Sequence, residues 1–150
     1  MNLLNNKTFF LLGVTILLAA CRAGVAPLET VTYKNLSLEN ANFQNKDLTR
    51  ADFSGAHLEG ANFENGILSE AKFDRANLNK ANLKSVKAEH VNFSEANLDE
   101  ADLSYGNFDY AFFEKATLSN VKAVEASFKG SAGLSIETIA NLKRQGASFD

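Results

Sequence analysis

The sequence is poor in the residues that usually supply chemistry or cross-links in a small protein. It has no Trp, only two His, and a single Cys, Pro and Met among its 150 residues. One cysteine has no partner within the chain, which excludes an internal disulfide framework. No metal-ligand spacing, glycine-rich phosphate loop or hydrolase elbow occurs. The sequence therefore predicts that the protein is not an enzyme and needs no metal or cofactor.

Strong charge and long apolar runs are also missing. A formal net charge of -3 and a pI near 5.4 are too mild to indicate a nucleic-acid binder or a polyanionic surface. The N-terminal apolar run, Phe9–Ala20, has twelve residues, whereas a membrane-spanning helix needs about 20. Twelve uncharged residues after Lys7 are typical of the apolar core of a secretory signal peptide. We therefore expect residues 1–20 to be a signal peptide.

The end of this run resembles a lipoprotein processing site. Leu18-Ala19-Ala20-Cys21 is similar to the lipobox of bacterial lipoproteins, which implies cleavage before Cys21 and acylation of that cysteine. The alternatives are an ordinary cleavage site or an uncleaved anchor, with Cys21 incidental. By the same resemblance, Arg22 after the cysteine favours the outer membrane in a Gram-negative cell. Residues 21–30 are then the lipidated Cys and a short tether that holds the rest of the chain close to the bilayer.

Residues 31–130 divide into twenty consecutive blocks of five without insertion or deletion. The first residue of a block is usually Ala, and the third is Leu nine times, Phe eight times, Tyr33 once, and Ala at 88 and 123. A period of five fits neither a helix nor a strand, and it indicates a solenoid built from short edges and turns. Alternate residues of an extended edge share a face, so the first and third residues are expected inside and the others in water.

The type of large residue, aromatic or leucine, repeats every twenty positions. One column is Tyr33, Phe53, Phe73, Phe93, Phe113, and the next is Leu38, Leu58, Leu78, Leu98, Leu118. An aromatic column beside a leucine column predicts four blocks per coil, and hence about five coils.

These blocks resemble a known family. Ala51-Asp52-Phe53-Ser54-Gly55 and Ala96-Asn97-Leu98 are similar to the A(D/N)LXX block of pentapeptide-repeat proteins. The resemblance implies an all-β solenoid, a right-handed quadrilateral β-helix, over residues 31–130. The handedness comes from the family alone.

Residues 131–150 leave the five-residue phase and predict a short helical cap. Ser135 is a suitable N-cap, Glu137 lies in the first turn, and the helix is expected to run to about Gln145. Its apolar side is predicted from Ile136, Ile139, Ala140 and Leu142. The helix is expected to cover the open edge of the last coil. The alternative is that it joins two solenoids end to end in a homodimer.

The outward positions carry few unusual residues. His57 and His90 fall in different coils and on different sides, and both are expected to be solvated. Tyr105, Tyr110 and Phe112 place aromatic rings on an otherwise polar wall, which is typical of a protein interface. We expect Phe112 to lie just past the corner that follows Tyr110, and this patch is the candidate partner-binding site.

Two functions are compatible with these features. The first is a non-enzymatic, lipid-anchored protein of the bacterial cell envelope that offers a rigid rod to a protein partner and binds no nucleic acid. The alternative is a DNA-mimicking protein that protects a topoisomerase from quinolones, as some members of the resembled family do. The alternative requires an acidic surface in the cytoplasm, whereas lysines interrupt the walls and the N-terminus indicates export.

Overall fold

The chain from residue 31 to residue 130 winds into a four-sided coil. The computed structural model describes residues 30–150, so Cys21 and the predicted signal peptide lie outside the described residues. Parallel β-bridges join the second residues of blocks twenty positions apart, from Thr32 with Asp52 to Phe112 with Ala132. Each side has one bridging residue rather than a longer strand. The predicted register of four blocks per coil is confirmed.

The corners depend on a backbone conformation that the repeat pattern alone did not reveal. The fifth residue of every block has a positive φ, between 52° and 67°, and only Gly55, Gly60 and Gly130 among these twenty are glycines. The carbonyl of the third residue of a block accepts a hydrogen bond from the N–H of the first residue of the next block. Ala41 N–H, for example, donates to the Leu38 carbonyl at 3.0 Å. This bond closes a β-turn that needs a left-handed residue just before its end. Seventeen residues with a Cβ therefore adopt a conformation that costs each about 1 kcal/mol.

The Asp or Asn at the second position of many blocks has a local role. Its side-chain oxygen accepts a hydrogen bond from the backbone N–H two residues later, as in Ser54 to Asp52 at 2.9 Å and Asp99 to Asn97 at 3.0 Å. Such an Asx bond holds the chain as it enters the turn. Neighbouring coils add amide contacts, for example Asn82 Nδ2 to Asn62 Oδ1 at 3.1 Å. The polar second position is thus explained by turn geometry.

The interior is filled by the two predicted columns and their neighbours. Successive rings of the aromatic column stack, with centroids 4.5 Å apart for Tyr33 and Phe53, 4.8 Å for Phe53 and Phe73, and 5.2 Å for Phe73 and Phe93. Leu58, Leu78 and Leu98 of the leucine column are fully buried. Rings of the first and third sides, which face each other across the coil, meet edge to face, which suits their quadrupoles. The core is therefore continuous along the stack.

The predicted C-terminal helix is present as α1 (Ile136–Arg144). Ser135 caps it by accepting the Thr138 N–H at 3.1 Å, and Gln145 ends it. The predicted apolar side was wrong at Ala140, which is exposed, and at Ile136, which is 89% exposed while Leu142 is buried. Ile136 and Leu142 lie about 120° apart around a helix of 3.6 residues per turn, so they do not share one face. Within residues 30–150, no helix is long and apolar enough to span a membrane.

After α1 the chain returns to the solenoid. Ser148 bridges Ser127, and the ring of Phe149 stacks on Phe128 at 5.4 Å. Ala147-Ser148-Phe149 repeats the triplet Ala126-Ser127-Phe128 at a spacing of 21 rather than 20. That repeated triplet could have indicated the returning segment, which the sequence analysis missed because it lies out of phase. The last coil is consequently covered by both helix and extended chain.

Candidate functional site

Tyr105, Tyr110 and Phe112, which we call the aromatic surface, follow one another around the fourth and fifth coils. Tyr105 and Tyr110 are left-handed corner residues, with φ of 61° and 59°. Phe112 is the second residue of the next side and bridges both Asn92 and Ala132. Their exposed fractions are 49%, 46% and 45%. The structure thus places all three side chains on the outside, at two successive corners and on the side that follows.

The ring of Tyr110 is held in place from two directions. It stacks on the imidazole of His90, with centroids 5.1 Å apart and planes 13° apart. A Cβ added at Gly130 would lie 2.7 Å from Tyr110 Cδ1, so the ring packs against the bare backbone of that glycine. His90, expected only to be solvated, therefore supports the aromatic surface. The sequence signal for this pairing was the spacing of twenty between His90 and Tyr110.

Tyr105 and Phe112 differ in their surroundings. Lys84 Nζ lies 5.6 Å from the Tyr105 ring centroid, within the range of a cation–π contact. Among residues 30–150, no other aromatic ring stacks on Phe112. None of the three rings of the aromatic surface stacks on another in the described part of the chain. Phe112 therefore offers an apolar ring that is half-exposed and has no aromatic partner among the described residues.

Charged residues at the corners pair from one coil to the next. Arg50 donates to Glu70 at 2.8 Å, Arg75 lies 3.4 Å from Glu95, and Lys80 Nζ lies 3.7 Å from Glu100. All six side chains are exposed. The hydrogen bond from the Arg50 guanidinium lowers the pKa of Glu70 below its usual value. Exposed pairs of this kind contribute little stability, but they neutralise the carboxylates beside them. The corners are therefore of mixed charge.

One group of possible ligands was not recognised as a set in the sequence. Donor atoms of Glu39, His57 and Glu59 lie within 4.8 Å of one another on the second side, and His57 Nδ1 is 3.9 Å from Glu59 Oε1. Asn77 Nδ2 already donates to that same Glu59 oxygen. Glu39 and His57 are exposed. Exposed acidic groups of this kind are common in proteins without an ion, and we assign no metal to them.

Comparison with protein families gives two matches along the solenoid. The model described as "Pentapeptide repeat region" matches residues 56–132, and the model described as "Pentapeptide repeats (8 copies)" matches residues 34–69. No curated protein sequence matches the chain.

One solved structure agrees closely in fold, and two others are similar in sequence over most of the chain. A pentapeptide repeat protein from the thylakoid lumen of Arabidopsis thaliana is 25% identical, with a TM-score of 0.70 over 74% of this chain and 77% of that chain. The protein Rfr23 from the cyanobacterium Cyanothece is 20% identical over 81% of this chain and 91% of that chain, with a TM-score of 0.38. QnrB1, a plasmid-mediated fluoroquinolone resistance protein, is 19% identical over 77% and 68%, with a TM-score of 0.37. The predicted fold class, a right-handed quadrilateral β-helix of about five coils with a C-terminal helix, is confirmed.

Proposed function

The chain belongs to the pentapeptide-repeat family, and on that premise we propose that it is a non-enzymatic interaction module anchored by lipid in the bacterial cell envelope. The protein would present a rigid four-sided rod to a protein partner. In a Gram-negative cell its membrane would be the outer one. The resemblance of Leu18–Cys21 to a lipobox supports the anchor.

The observation that carries the interaction role is the aromatic surface. The interior of the coil is filled by stacked Phe and Leu side chains, so recognition has to use the outside of the coil. Exposed rings on a polar wall, one of them fixed between His90 and Gly130, bury apolar area on a partner at little cost in side-chain entropy. We propose Tyr105, Tyr110 and Phe112 as the partner contact.

Replacing Cys21 with alanine is expected to abolish incorporation of labelled palmitate and to release the protein from the membrane fraction. The reason is that Cys21 is the chain's one thiol and the proposed acylation point. The measurement is metabolic labelling followed by membrane fractionation, with Phe112→Ala as the control that keeps the thiol. Labelling that persists without Cys21, or a wild-type protein found wholly in the cytoplasm, would overturn the anchor.

Replacing Phe112 with aspartate is expected to remove a partner that is recovered with the wild-type protein from envelope membranes. A carboxylate within an apolar contact is desolvated without a counter-charge. The measurement is a pull-down from solubilised membranes. Val31→Asp is the matched control, because Val31 is similarly exposed, at 50%, but lies in the first coil, far from the aromatic surface. Equal recovery with the wild type and Phe112→Asp would refute this contact.

The mixed charge of the corners argues against the alternative of a DNA mimic. Arg50, Arg75 and Lys80 each neutralise a glutamate on the next coil, so the acidic residues do not form an uninterrupted stripe. Tight binding of the purified chain to DNA gyrase would nevertheless overturn our proposal in favour of that alternative.

A further inference from the structure

Three of the four sides of the last coil have their upper edge filled by the C-terminal segment. On the first side, Phe113 N–H donates to the Ala132 carbonyl at 2.8 Å and Ala132 N–H donates to Ala111 at 2.9 Å. On the fourth side, Phe128 N–H donates to Ser148 at 2.8 Å and Ser148 N–H donates to Ala126 at 2.9 Å. On each of these sides, one extended residue therefore pairs with the edge through its backbone N–H and carbonyl.

The third side is filled by a side chain that takes the place of a peptide group. The carboxamide of Gln145 accepts the Ala123 N–H at 3.0 Å and donates to the Val121 carbonyl at 3.0 Å. These are the same two bonds that Ala132 and Ser148 make on their sides. The repeated pattern shows that an edge in this coil requires one donor and one acceptor, spaced as in a peptide unit.

The second side has the same two groups without a partner. Within residues 30–150, no group bonds to the Leu118 N–H or to the Ala116 carbonyl. Leu118, which ends the leucine column, is only half-buried, whereas Leu98 directly below it is fully buried. A groove of about 600 Å³ opens here between Ala116–Ser119 and the α1 residues Glu137, Thr138, Asn141 and Arg144.

We propose that this edge binds an extended peptide segment of a partner protein by β-strand addition. The rung directly below shows the required chemistry. The backbone N–H of Asn97 donates to the Ala76 carbonyl at 3.0 Å, and the Asn97 carbonyl accepts the Leu78 N–H at 2.7 Å. The next side chain, Leu98, stacks in the leucine column. A partner segment with a small, a polar and then a large apolar residue would repeat those contacts at Ala116 and Leu118. Specificity would come from the apolar residue over Leu118.

This proposal extends the partner-binding function to a second surface and names its ligand class, and it does not rest on the aromatic surface. Glu137 and Arg144 carry opposite charges, so the groove has no strong preference for a charged partner. Main-chain hydrogen bonds and one apolar contact are expected to provide the affinity. Phe112→Asp is accordingly expected to leave peptide binding unchanged, which separates a failure of this proposal from a failure of the proposed function.

The test uses the full-length chain and a fluorescent, end-capped synthetic peptide with the sequence of residues 94–100, SEANLDE. Its acidic residues disfavour non-specific attraction to a chain of net charge -3. We expect saturable binding by fluorescence anisotropy. An N-methyl group on the peptide residue corresponding to Asn97 removes the donor to Ala116 and is expected to weaken binding at least about tenfold. The same methyl on the residue corresponding to Leu98, whose N–H would point away from the edge, is the matched control.

A second pair of variants locates the site. Asn141→Trp fills the groove from the exposed face of α1 and is expected to abolish binding, whereas Ile136→Trp, on the same helix but outside the groove, is expected to have no effect. Absence of saturable binding, equal effects of the two methyl groups, or binding unaffected by Asn141→Trp would overturn the proposal. A free chain that is dimeric and becomes monomeric with Asn141→Trp would also overturn it, because the edge would then belong to a second copy.

Discussion

Replacing Phe73 with alanine is expected to lower the free energy of unfolding by about 3–5 kcal/mol. The ring is fully buried and stacks on Phe53 at 4.8 Å and on Phe93 at 5.2 Å, and it meets Phe63 edge to face at 5.6 Å. Removing it leaves a cavity between two coils, and backbone pairing on all four sides prevents those coils from closing on it. The loss therefore combines transfer, cavity and ring–ring terms.

The measurement is urea denaturation followed by circular dichroism, with Phe112→Ala as the matched control. That variant makes the same truncation two coils later, on the outer wall, where 45% of the side chain is exposed, and is expected to cost about 1 kcal/mol or less. Equal losses of unfolding free energy in the two variants would mean that a ring of the buried aromatic column contributes no more stability than an exposed ring. Each coil contacts only its neighbours, so a variant could unfold in part of the stack before the rest. The slope of the urea transition should therefore also be compared, because it reports the surface exposed in one cooperative step.

Deleting residues 73–92 is expected to give a shorter protein that still folds, whereas deleting residues 73–91 is expected to destabilise it severely. The first deletion removes one coil of twenty residues and joins Lys72 to Phe93, which recreates a regular block, Ala-Lys-Phe-Ser-Glu. The second leaves Asn92 as one extra residue between Ala71 and Phe93. Those two side chains then fall on opposite faces of the edge, because side chains alternate along extended chain.

The nineteen-residue deletion must either expose Phe93 or form a bulge that breaks pairing on that side. Loss of the buried ring alone costs about 1.5–3 kcal/mol, and the broken bonds add to it. Thermal and urea unfolding of the two purified variants provide the comparison. A nineteen-residue deletion as stable as the twenty-residue one would contradict the register, even though it has the longer chain. The solubility of the two deletion variants during expression provides a second, independent comparison of their stability.

Much of the fold could be predicted from the repeat because side-chain type and position were redundant across twenty blocks. Phe53, Phe73 and Phe93 had to stack once four blocks formed a coil, and the structure places their rings one above another. Ser135 and Gln145 likewise marked the helix ends, since capping depends on residues close in sequence. Ile136 was misassigned because a set of apolar residues on a short helix does not define which of them reaches the core.

The candidate site was less predictable. The sequence placed Tyr105, Tyr110 and Phe112 outside, but the support of Tyr110 by His90 and Gly130 depends on which corner residues meet across coils. The local role of Asp and Asn at second positions also emerged only from the turn geometry. A five-residue pattern reports which way a side chain points, and it does not report the conformation of the corner that carries it.

By itself the sequence determined the number of sides in the coil, its inner columns and the position of the terminal helix. Burial of apolar side chains at a fixed period defines how many blocks form one coil, and capping residues mark the helix ends. Only the tertiary structure decided how the last coil ends: Gln145 substitutes for a peptide group on one side, Ser148 returns on another, and the edge at Leu118 is left open. Those outcomes depend on the path of a helix and a loop with no repeat to constrain them. The hydrogen-bonding groups that meet there do not occupy equivalent positions of the repeat, so their pairing becomes visible only in the folded chain.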